Sequence, residues 1–253
     1  MMRRCWGGRW RSSVASPTRD FPVGAGLPFE ITRRIFMNDS QNGMLFVATD
    51  VATQDDADFN RWYDREHVEE RVRVPGFLSG TRYRALQGGR QYLGLYKTES
   101  LASFTSEAYR AAFQHQTPWS VASLEKMRDP MRRVCAVEAV TGQGCGSHLC
   151  IFVLPSAASE VLHARILQLG AQLAEQPGFV RSSLLTPDAE LSSPLPKESR
   201  ENRRMLPMLL IESSDAEAGL RLSEQAAEAL NMPAADAWHY ALGWQLTAQE
   251  LTS

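Results

Sequence analysis

The sequence predicts an α+β fold made of two ferredoxin-like (βαββαβ) modules that follow each other in one chain. Apolar runs of strand length alternate with segments of helical period in the order β-α-β-β-α-β, and the same order then returns. A Pro-Gly-Phe triplet follows the first helix of each half, starting at Pro75 and at Pro177, 102 residues apart. With 253 residues, 43% of them hydrophobic, the chain can form two modules of about 100 residues each.

The first module is predicted to span residues 43–142. Its elements in order are a buried strand at 44–50, a helix ending before Pro75, a hairpin of strands at 79–86 and 91–96, a second helix at 100–113 and a fourth strand at 131–140. Between the second helix and the fourth strand, the run Thr117-Pro118-Trp119-Ser120 is interpreted as a break in the helical pattern.

The second module is predicted to span residues 147–249. Strands are expected at 149–154, 181–186, 205–211 and 238–247, with helices at 157–174 and 216–230. A Ser/Pro/charge-rich insert at 187–204 is predicted to be a surface loop. Residues 1–42 carry prolines, glycines and arginines without any period, which indicates a disordered or spurious N-terminal arm, with an organellar targeting segment as the alternative.

The charge and composition of the chain limit the classes of partner that it is expected to bind. The 27 Lys+Arg and 29 Asp+Glu give a net charge of −2, which favours a small-molecule or protein partner over nucleic acid or a membrane surface. No apolar run approaches the roughly 18–20 residues of a membrane span. The four cysteines form no CxxC pair, so a reducing, cytoplasmic location is expected. Homodimer formation is left open.

The chemically richest stretch is the first helix of the first module. Phe59, Trp62 and Tyr63 form one apolar stripe at helical spacing. On a wheel of 100° per residue, Glu66 falls inside the arc of that stripe and His67 at its edge. Either the helix end emerges into solvent here, or these groups face an enclosed pocket in which burial would shift their pKa values.

Other polar residues are weaker candidates. His115, Thr117 and Trp119 lie in the break after the second helix, near the strand ends where ligands tend to bind. His148, His163 and His239 lack acidic neighbours, so structural roles are favoured for them. Cys145 and Cys150 beside His148 could ligate a metal, but no second ligand cluster supports this, and free thiols are expected. No metal site is therefore predicted.

Several motifs are missing from the sequence. It contains no GxGxxG or P-loop pattern for a nucleotide, no HExxH for zinc and no GxSxG nucleophile elbow. We therefore expect a mechanism without a cofactor.

The order Trp62-Tyr63-Asp64-Arg65-Glu66-His67, followed by Glu70-Arg71, Pro75-Gly76-Phe77 and Arg82-Tyr83, resembles the EthD-like branch of the dimeric α/β-barrel superfamily. The resemblance implies two antiparallel sheets packed face to face into a barrel, here within one chain because the unit is duplicated. The first helix of the second half lacks the WYxxxH pattern. One working site, in the first module, is therefore expected.

The resemblance also implies a function, a cofactor-independent lyase or isomerase acting on a small aromatic or lactone-like metabolite. His67 would be the general base, Tyr63 or Glu66 the proton donor, and Arg71 or Arg82 would steady an anionic intermediate. Further substrate contacts are expected from Trp62, His115 and Trp119. The alternatives are a non-catalytic small-molecule-binding or accessory protein, and a haem-dependent or quinol-type oxygenase.

Overall fold

The structure is a computed structural model that describes residues 42–201 and 203–252. The first half contains strands β1 (Gly43–Val51), β2 (Phe77–Gln87), β3 (Tyr92–Thr98) and β4 (Met127–Gly142), and helices α1 (Asp56–Trp62), α2 (Val68–Val72), α3 (Glu107–Gln114) and α4 (Pro118–Glu125). The second half contains β5 (His148–Val153), β6 (Phe179–Pro187), β7 (Met208–Ser213) and β8 (Trp238–Thr247), with helices α5 (Glu160–Ala174) and α6 (Ala216–Leu230). The arm predicted at 1–42 lies outside the described residues, apart from Asn42.

The eight strands close into one antiparallel barrel in the order β1-β3-β2-β8-β5-β7-β6-β4. The two halves meet where β2 pairs with β8 and where β4 pairs with β6. Within the first half the spatial order is β4-β1-β3-β2, and within the second it is β8-β5-β7-β6. The predicted α+β class and the barrel are confirmed, and the barrel strands leave no open sheet edge.

Three apolar layers result from the alternation of side chains along the strands. On β3, Leu93 and Leu95 face the barrel interior, whereas Tyr92 and Tyr96 face the helices of the first half. A third layer, which includes Phe152 and Ile166, lies between the sheet and helices of the second half. Among the described residues, no helix is both long enough and apolar enough to cross a membrane.

The prediction that residues 117–120 simply break the helical pattern is wrong, because they begin α4. Thr117 is the N-cap, and its Oγ1 accepts a hydrogen bond of 2.9 Å from the backbone N–H of Ser120. Pro118 occupies the first helical position, where its fixed φ suits a helix and its missing N–H costs nothing.

Candidate functional site

The chemically rich stretch lies on the site helix (residues 56–72), whose middle is not regular α-helix. Between α1 and α2 runs the π-helical turn Tyr63–His67, and the N–H of Val68 donates to the carbonyl oxygen of Tyr63, five residues back. A π-turn advances each side chain by a smaller angle than an α-turn. This rotates His67 into the layer against the sheet, where it is buried, and leaves Glu66 half-buried at the edge.

Aromatic rings surround the imidazole of His67. Its ring centre lies 4.3 Å from that of Trp62, 5.0 Å from Tyr63 and 6.2 Å from Tyr96. Its Nδ1 is buried and has no hydrogen-bond partner. Burial, with smaller contributions from the positive charges of Arg71 and Arg82, holds the pKa of His67 well below its usual value. The imidazole is therefore neutral at neutral pH.

Two glycines make room for these rings on the outer face of the sheet. A Cβ at Gly94 would lie 3.0 Å from the Tyr63 hydroxyl, and one at Gly80 would lie 2.8 Å from a methyl of Val68 and 3.1 Å from the Tyr96 ring. Real Cβ atoms rarely approach other atoms so closely. The site helix can therefore lie close to the sheet only because these positions carry no side chain.

A pocket opens beside His67 and holds about 390 Å³ of space, part of it open to solvent. Its apolar walls come from the strands, from the helices and from the insert at 187–204 (Leu45, Val47, Phe113, Leu124, Met127, Leu195). Its polar groups include His67, Arg71 and Arg132.

Arg71 and Arg132 bring two positive charges to this pocket. They are only 4% and 3% exposed, and their guanidinium carbons lie 5.0 and 5.8 Å from the centre of the Phe113 ring. No carboxylate among the described residues lies within 4.0 Å of either guanidinium. Nη1 of Arg71 and Nε of Arg132 are buried without hydrogen-bond partners.

The insert at 187–204, predicted to be a surface loop, forms one wall of this pocket. Arg132 donates 2.9 and 3.1 Å hydrogen bonds to the carbonyl oxygens of Leu191 and Ser193. The buried carboxylate of Glu198 accepts hydrogen bonds from Arg133 and Arg203. These contacts fasten a segment of the second half of the chain over the site of the first half.

Glu66 and Trp62 hold α4 in place. The carboxylate of Glu66 accepts hydrogen bonds of 2.6 Å from Thr117 and 3.0 Å from Ser120. The indole N–H of Trp62 donates to the Ser120 hydroxyl at 3.0 Å. The expected proton donor thus lies in a network that ties the site helix to the start of α4, while Tyr63 packs against the imidazole of His67.

The remaining predicted residues lie away from the pocket. The Arg82 guanidinium carbon is 4.1 Å from the centre of the Tyr63 ring, and Arg82 pairs with Asp64 at 2.8 Å beside a separate opening. His115 is exposed, and Trp119 is half-buried beneath Arg61, whose guanidinium carbon is 5.7 Å from the ring. Of the predicted set, the structure brings His67 and Arg71 together at the pocket.

Sequence reasoning missed Arg132, Tyr96, Phe113 and Leu195. The first of these left a signal, because Arg132 stands next to Arg133 within a strand that is otherwise largely apolar. Buried arginines in a strand indicate either a paired charge or a ligand. Nothing in the sequence indicates that Leu195 lines the pocket, since its position depends on how the insert folds.

Two histidines of the second half lie next to each other, and its two cysteines lie apart. Among the residues that the structure describes, no three His, Cys, Asp or Glu side chains come together in a way that could hold a metal ion. Nδ1 of His239 lies 3.3 Å from Nε2 of His148, and both rings are buried. Cys150 is buried between sheet and helices, whereas Cys145 is exposed at the mouth of the barrel.

Comparison with solved structures finds similar folds at low sequence identity. An anthrone oxidase-like protein matches with a TM-score of 0.56 and 14% identity, over 83% of this chain and 94% of that chain. A protein named as a monooxygenase from Fusobacterium nucleatum matches with a TM-score of 0.52 and 8% identity, over 82% and 95% of the two chains. Another from Lactobacillus acidophilus matches with a TM-score of 0.51 and 9% identity, over 83% and 97%.

No protein-family model matches the sequence, and no curated protein matches it significantly. The structural likenesses establish the fold, a barrel of the dimeric α/β type. The expected lyase or isomerase chemistry is contradicted, because the three structures are named for oxidation or oxygenation. The EthD-like branch is not singled out by these comparisons and stays a prediction.

Proposed function

We propose that the protein is an oxygenase that binds an electron-rich hydroxylated aromatic compound as its anion in the pocket beside His67. The observation that carries this proposal is the pair Arg71 and Arg132, two buried guanidiniums at one apolar pocket that form no ion pair with any carboxylate of residues 42–201 and 203–252. The names of the structurally similar proteins support the choice of oxidation over other reactions of an aromatic anion.

The charges argue for an anionic ligand. Removing a guanidinium from water is costly unless an opposite charge or hydrogen bonds compensate. Arg132 has much of that compensation, because its Nη1 donates to acceptors of Leu191 and Ser193 and its Nη2 to the Tyr109 hydroxyl. Nε of Arg132 and Nη1 of Arg71 have no hydrogen-bond partner among the described residues. A phenolate or enolate oxygen between the two groups would supply it, while the aromatic rings of the ligand would lie against Leu45, Leu124 and Met127.

His67 is the group that takes the proton of the ligand. A neutral imidazole with a depressed pKa is a weak base, so it needs an unusually acidic partner. Arg71 and Arg132 make the ligand more acidic, because nearby positive charges lower the pKa of a bound phenol or enol. The three side chains together favour the ligand anion.

The anion then reacts with O₂ without an external reductant. For a methylene carbon activated by a hydroxylated ring system, His67 takes one methylene proton, and the resulting carbanion, delocalised as the enolate, adds O₂ to form R₂CH–OO⁻. Protonation by the imidazolium of His67 then gives R₂CH–OOH. Loss of water yields the ketone. The sum is R₂CH₂ + O₂ → R₂C=O + H₂O, in which the substrate supplies all four electrons.

Haem fits this pocket poorly. The imidazole of His67 is covered on one face by Trp62 and at its edges by Tyr63 and Tyr96. A porphyrin is much larger than the space of about 390 Å³ and would displace Leu124, Met127 and the insert. Of the two oxygenase alternatives, the quinol-type enzyme therefore fits this pocket better than the haem-dependent one.

An oxygen electrode tests the proposal with 1,8-dihydroxy-9-anthrone as the probe substrate. We expect enzyme-dependent consumption of one O₂ per quinone formed, in buffer treated with a chelator. Arg71→Leu should lower kcat/KM by about 10²-fold or more, since it removes one of the two charges on the anion. Arg73→Leu, an exposed position on the same helix paired with Glu69, is the matched control. Equal losses in both variants, or no turnover by the wild type with any hydroxylated anthrone or quinol, would refute the proposal.

We also infer that the barrel is built from two ferredoxin-like units within 43–142 and 147–249. Support comes from the equivalent strand orders of the two halves, β4-β1-β3-β2 and β8-β5-β7-β6. The WYxxxH pattern of the site helix remains the reason to associate the first unit with the EthD-like branch. Cytoplasmic location and homodimer formation stay predictions of the sequence.

A further inference from the structure

A second pocket lies inside one end of the barrel and is separate from the pocket beside His67. On β3, Tyr96 faces the helices while its neighbour Lys97 faces the barrel interior. The barrel-mouth pocket is defined by Lys97 together with Tyr83, Cys145, Arg181 and Glu212, and holds about 450 Å³, part of it open to solvent. The proposed oxygenase chemistry uses none of these residues.

Positive charge prevails at this mouth. Lys97 and Arg181 are half-buried, and no carboxylate of the described residues lies within 4.0 Å of either cation. Nε of Arg181 is buried without a hydrogen-bond partner. Burial, and then the charge of Arg181, lowers the pKa of Lys97, so the two cations disfavour each other. The single acid, Glu212, already accepts a 3.0 Å hydrogen bond from the backbone N–H of Gly146.

Below the charged rim the wall is of mixed polarity, with Leu95 and Leu210 next to their cross-strand partners Thr81 and Ser183. On β3, Leu95 lies one inward position deeper than Lys97, and on β7, Leu210 lies one inward position deeper than Glu212. Met44, the cross-strand partner of Lys97 on β1, adds an apolar side chain at the level of the rim. A ligand that satisfies both parts has an anionic head and a short apolar tail that points into the barrel.

We propose that the barrel mouth binds a small organic carboxylate, with its head between Lys97 and Arg181 and its tail on Met44, Leu95 and Leu210. The carboxylate would meet two cations whose nearest acid, Glu212 opposite Arg181, offsets only one of the two charges and forms no direct ion pair with either, and Arg181 Nε would gain its missing acceptor. This site is independent of the proposed oxygenase reaction, because it lies on the other face of the sheet.

Butyrate is the probe for this site, measured by isothermal titration calorimetry on the full chain. We expect saturable one-site binding that Lys97→Met and Arg181→Gln each weaken at least tenfold. Arg128→Gln, at an exposed arginine of β4, should leave the dissociation constant unchanged. Arg71→Leu should also leave it unchanged, which separates this site from the pocket beside His67.

A second measurement needs no change in the pocket itself. Cys145 lines the barrel mouth and is exposed, whereas Cys135 and Cys150 are buried. In a Cys5→Ser variant, which removes the one cysteine outside the described residues, butyrate should slow modification of Cys145 by a thiol reagent, and butylamine should not.

Three results would overturn the proposal. They are the absence of butyrate binding to the wild type, binding that neither Lys97→Met nor Arg181→Gln weakens while both variants fold, and inorganic phosphate binding as tightly as butyrate. The last result would indicate a site for oxyanions in general, without the apolar tail that Met44 and Leu95 favour.

Discussion

The ring of His67 lies against the indole of Trp62, with the ring centres 4.3 Å apart and the planes inclined by 31°. The same indole donates its N–H to Ser120, and Ser120 donates to Glu66. The imidazole is therefore held from behind by a ring that is itself fixed by hydrogen bonds. Such a supporting shell is what keeps a proton-transfer group in one orientation.

Replacing His67 by alanine should lower kcat/KM for the hydroxyanthrone by 10²- to 10⁴-fold, the usual contribution of a general base. His115→Ala should have no effect, because that side chain is exposed and lies outside the pocket. Steady-state oxygen consumption measures both, and thermal denaturation checks that both variants fold. An inactive His115→Ala with an active His67→Ala would reverse the assignment.

Trp62→Phe should lower activity because it loosens the orientation of the His67 imidazole, not because it removes a charge from the site. Phenylalanine keeps a ring beside His67 but loses the 3.0 Å bond to Ser120, a loss of about 1 kcal/mol in the free energy of unfolding. We expect kcat to fall while KM changes little, as for a group that orients the base. A KM increase at constant kcat would instead place Trp62 in direct contact with substrate.

The histidine pair of the second half should make stability depend on pH. Burial, with the neighbouring His239, lowers the pKa of His148 from its usual 6.5 to about 4. Above pH 6.5 the ring is neutral in both folded and unfolded states. Between pH 6.5 and about 4 only the unfolded state binds the proton, so stability falls with acidification by up to about 1.4 kcal/mol per pH unit.

His148→Asn should flatten this slope when urea unfolding is followed from pH 7 to pH 4. The comparison uses the slope of the free energy of unfolding against pH. The absolute stabilities are not compared, because a buried asparagine itself lowers the free energy of unfolding. His163→Asn, on the partly exposed surface of α5, is the control. An unchanged slope in the His148 variant would show that the pair is not the source of the dependence.

Glu198→Gln should destabilise the insert more than the rest of the protein. It leaves the buried guanidinium of Arg133 and the half-buried one of Arg203 without their anion, and breaking a buried pair typically costs about 3–5 kcal/mol. Limited proteolysis should then cut within 187–204 at lower protease concentrations than in the wild type. Glu201→Gln, an exposed acid of the same segment, should behave like the wild type. Equal protection of both variants would contradict a role for Glu198 in fastening the insert.

Gly94→Ala should push the Tyr63 hydroxyl, 3.0 Å from the new Cβ, away from the sheet. Forced overpacking of this kind costs roughly 1–3 kcal/mol. Adding Tyr63→Phe removes the oxygen that is approached most closely and should recover part of the loss. A double-mutant cycle by urea unfolding measures the coupling between the two positions. Strict additivity would mean that Gly94 acts through something other than Tyr63.

Much of the fold could be predicted because strand and helix periods are local properties. The predicted strand at 238–247 and helix at 216–230 match the structure, and the fourth strand of the first module was placed correctly but too short. The helix at 118–125 was missed because proline was interpreted as a stop signal, whereas Thr117 before it makes it a start.

The candidate site was predictable only in part. A wheel of 100° per residue placed His67 at the edge of the apolar stripe, because nothing in the sequence announces the π-helical turn that rotates it inward. The sequence predicts Arg71, but its counterpart Arg132 lies on β4, distant in sequence, and reaches the same pocket only through the tertiary fold. Contacts between distant segments, such as Leu195 with this pocket, are beyond any local pattern.

The insert at 187–204 belongs to the second half of the chain and walls the pocket of the first half. Because both are on one polypeptide, the local concentration of the cover at the pocket does not change when the protein is diluted. The pocket beside His67 should therefore keep its full complement of walls at concentrations where an assembly of separate subunits would come apart.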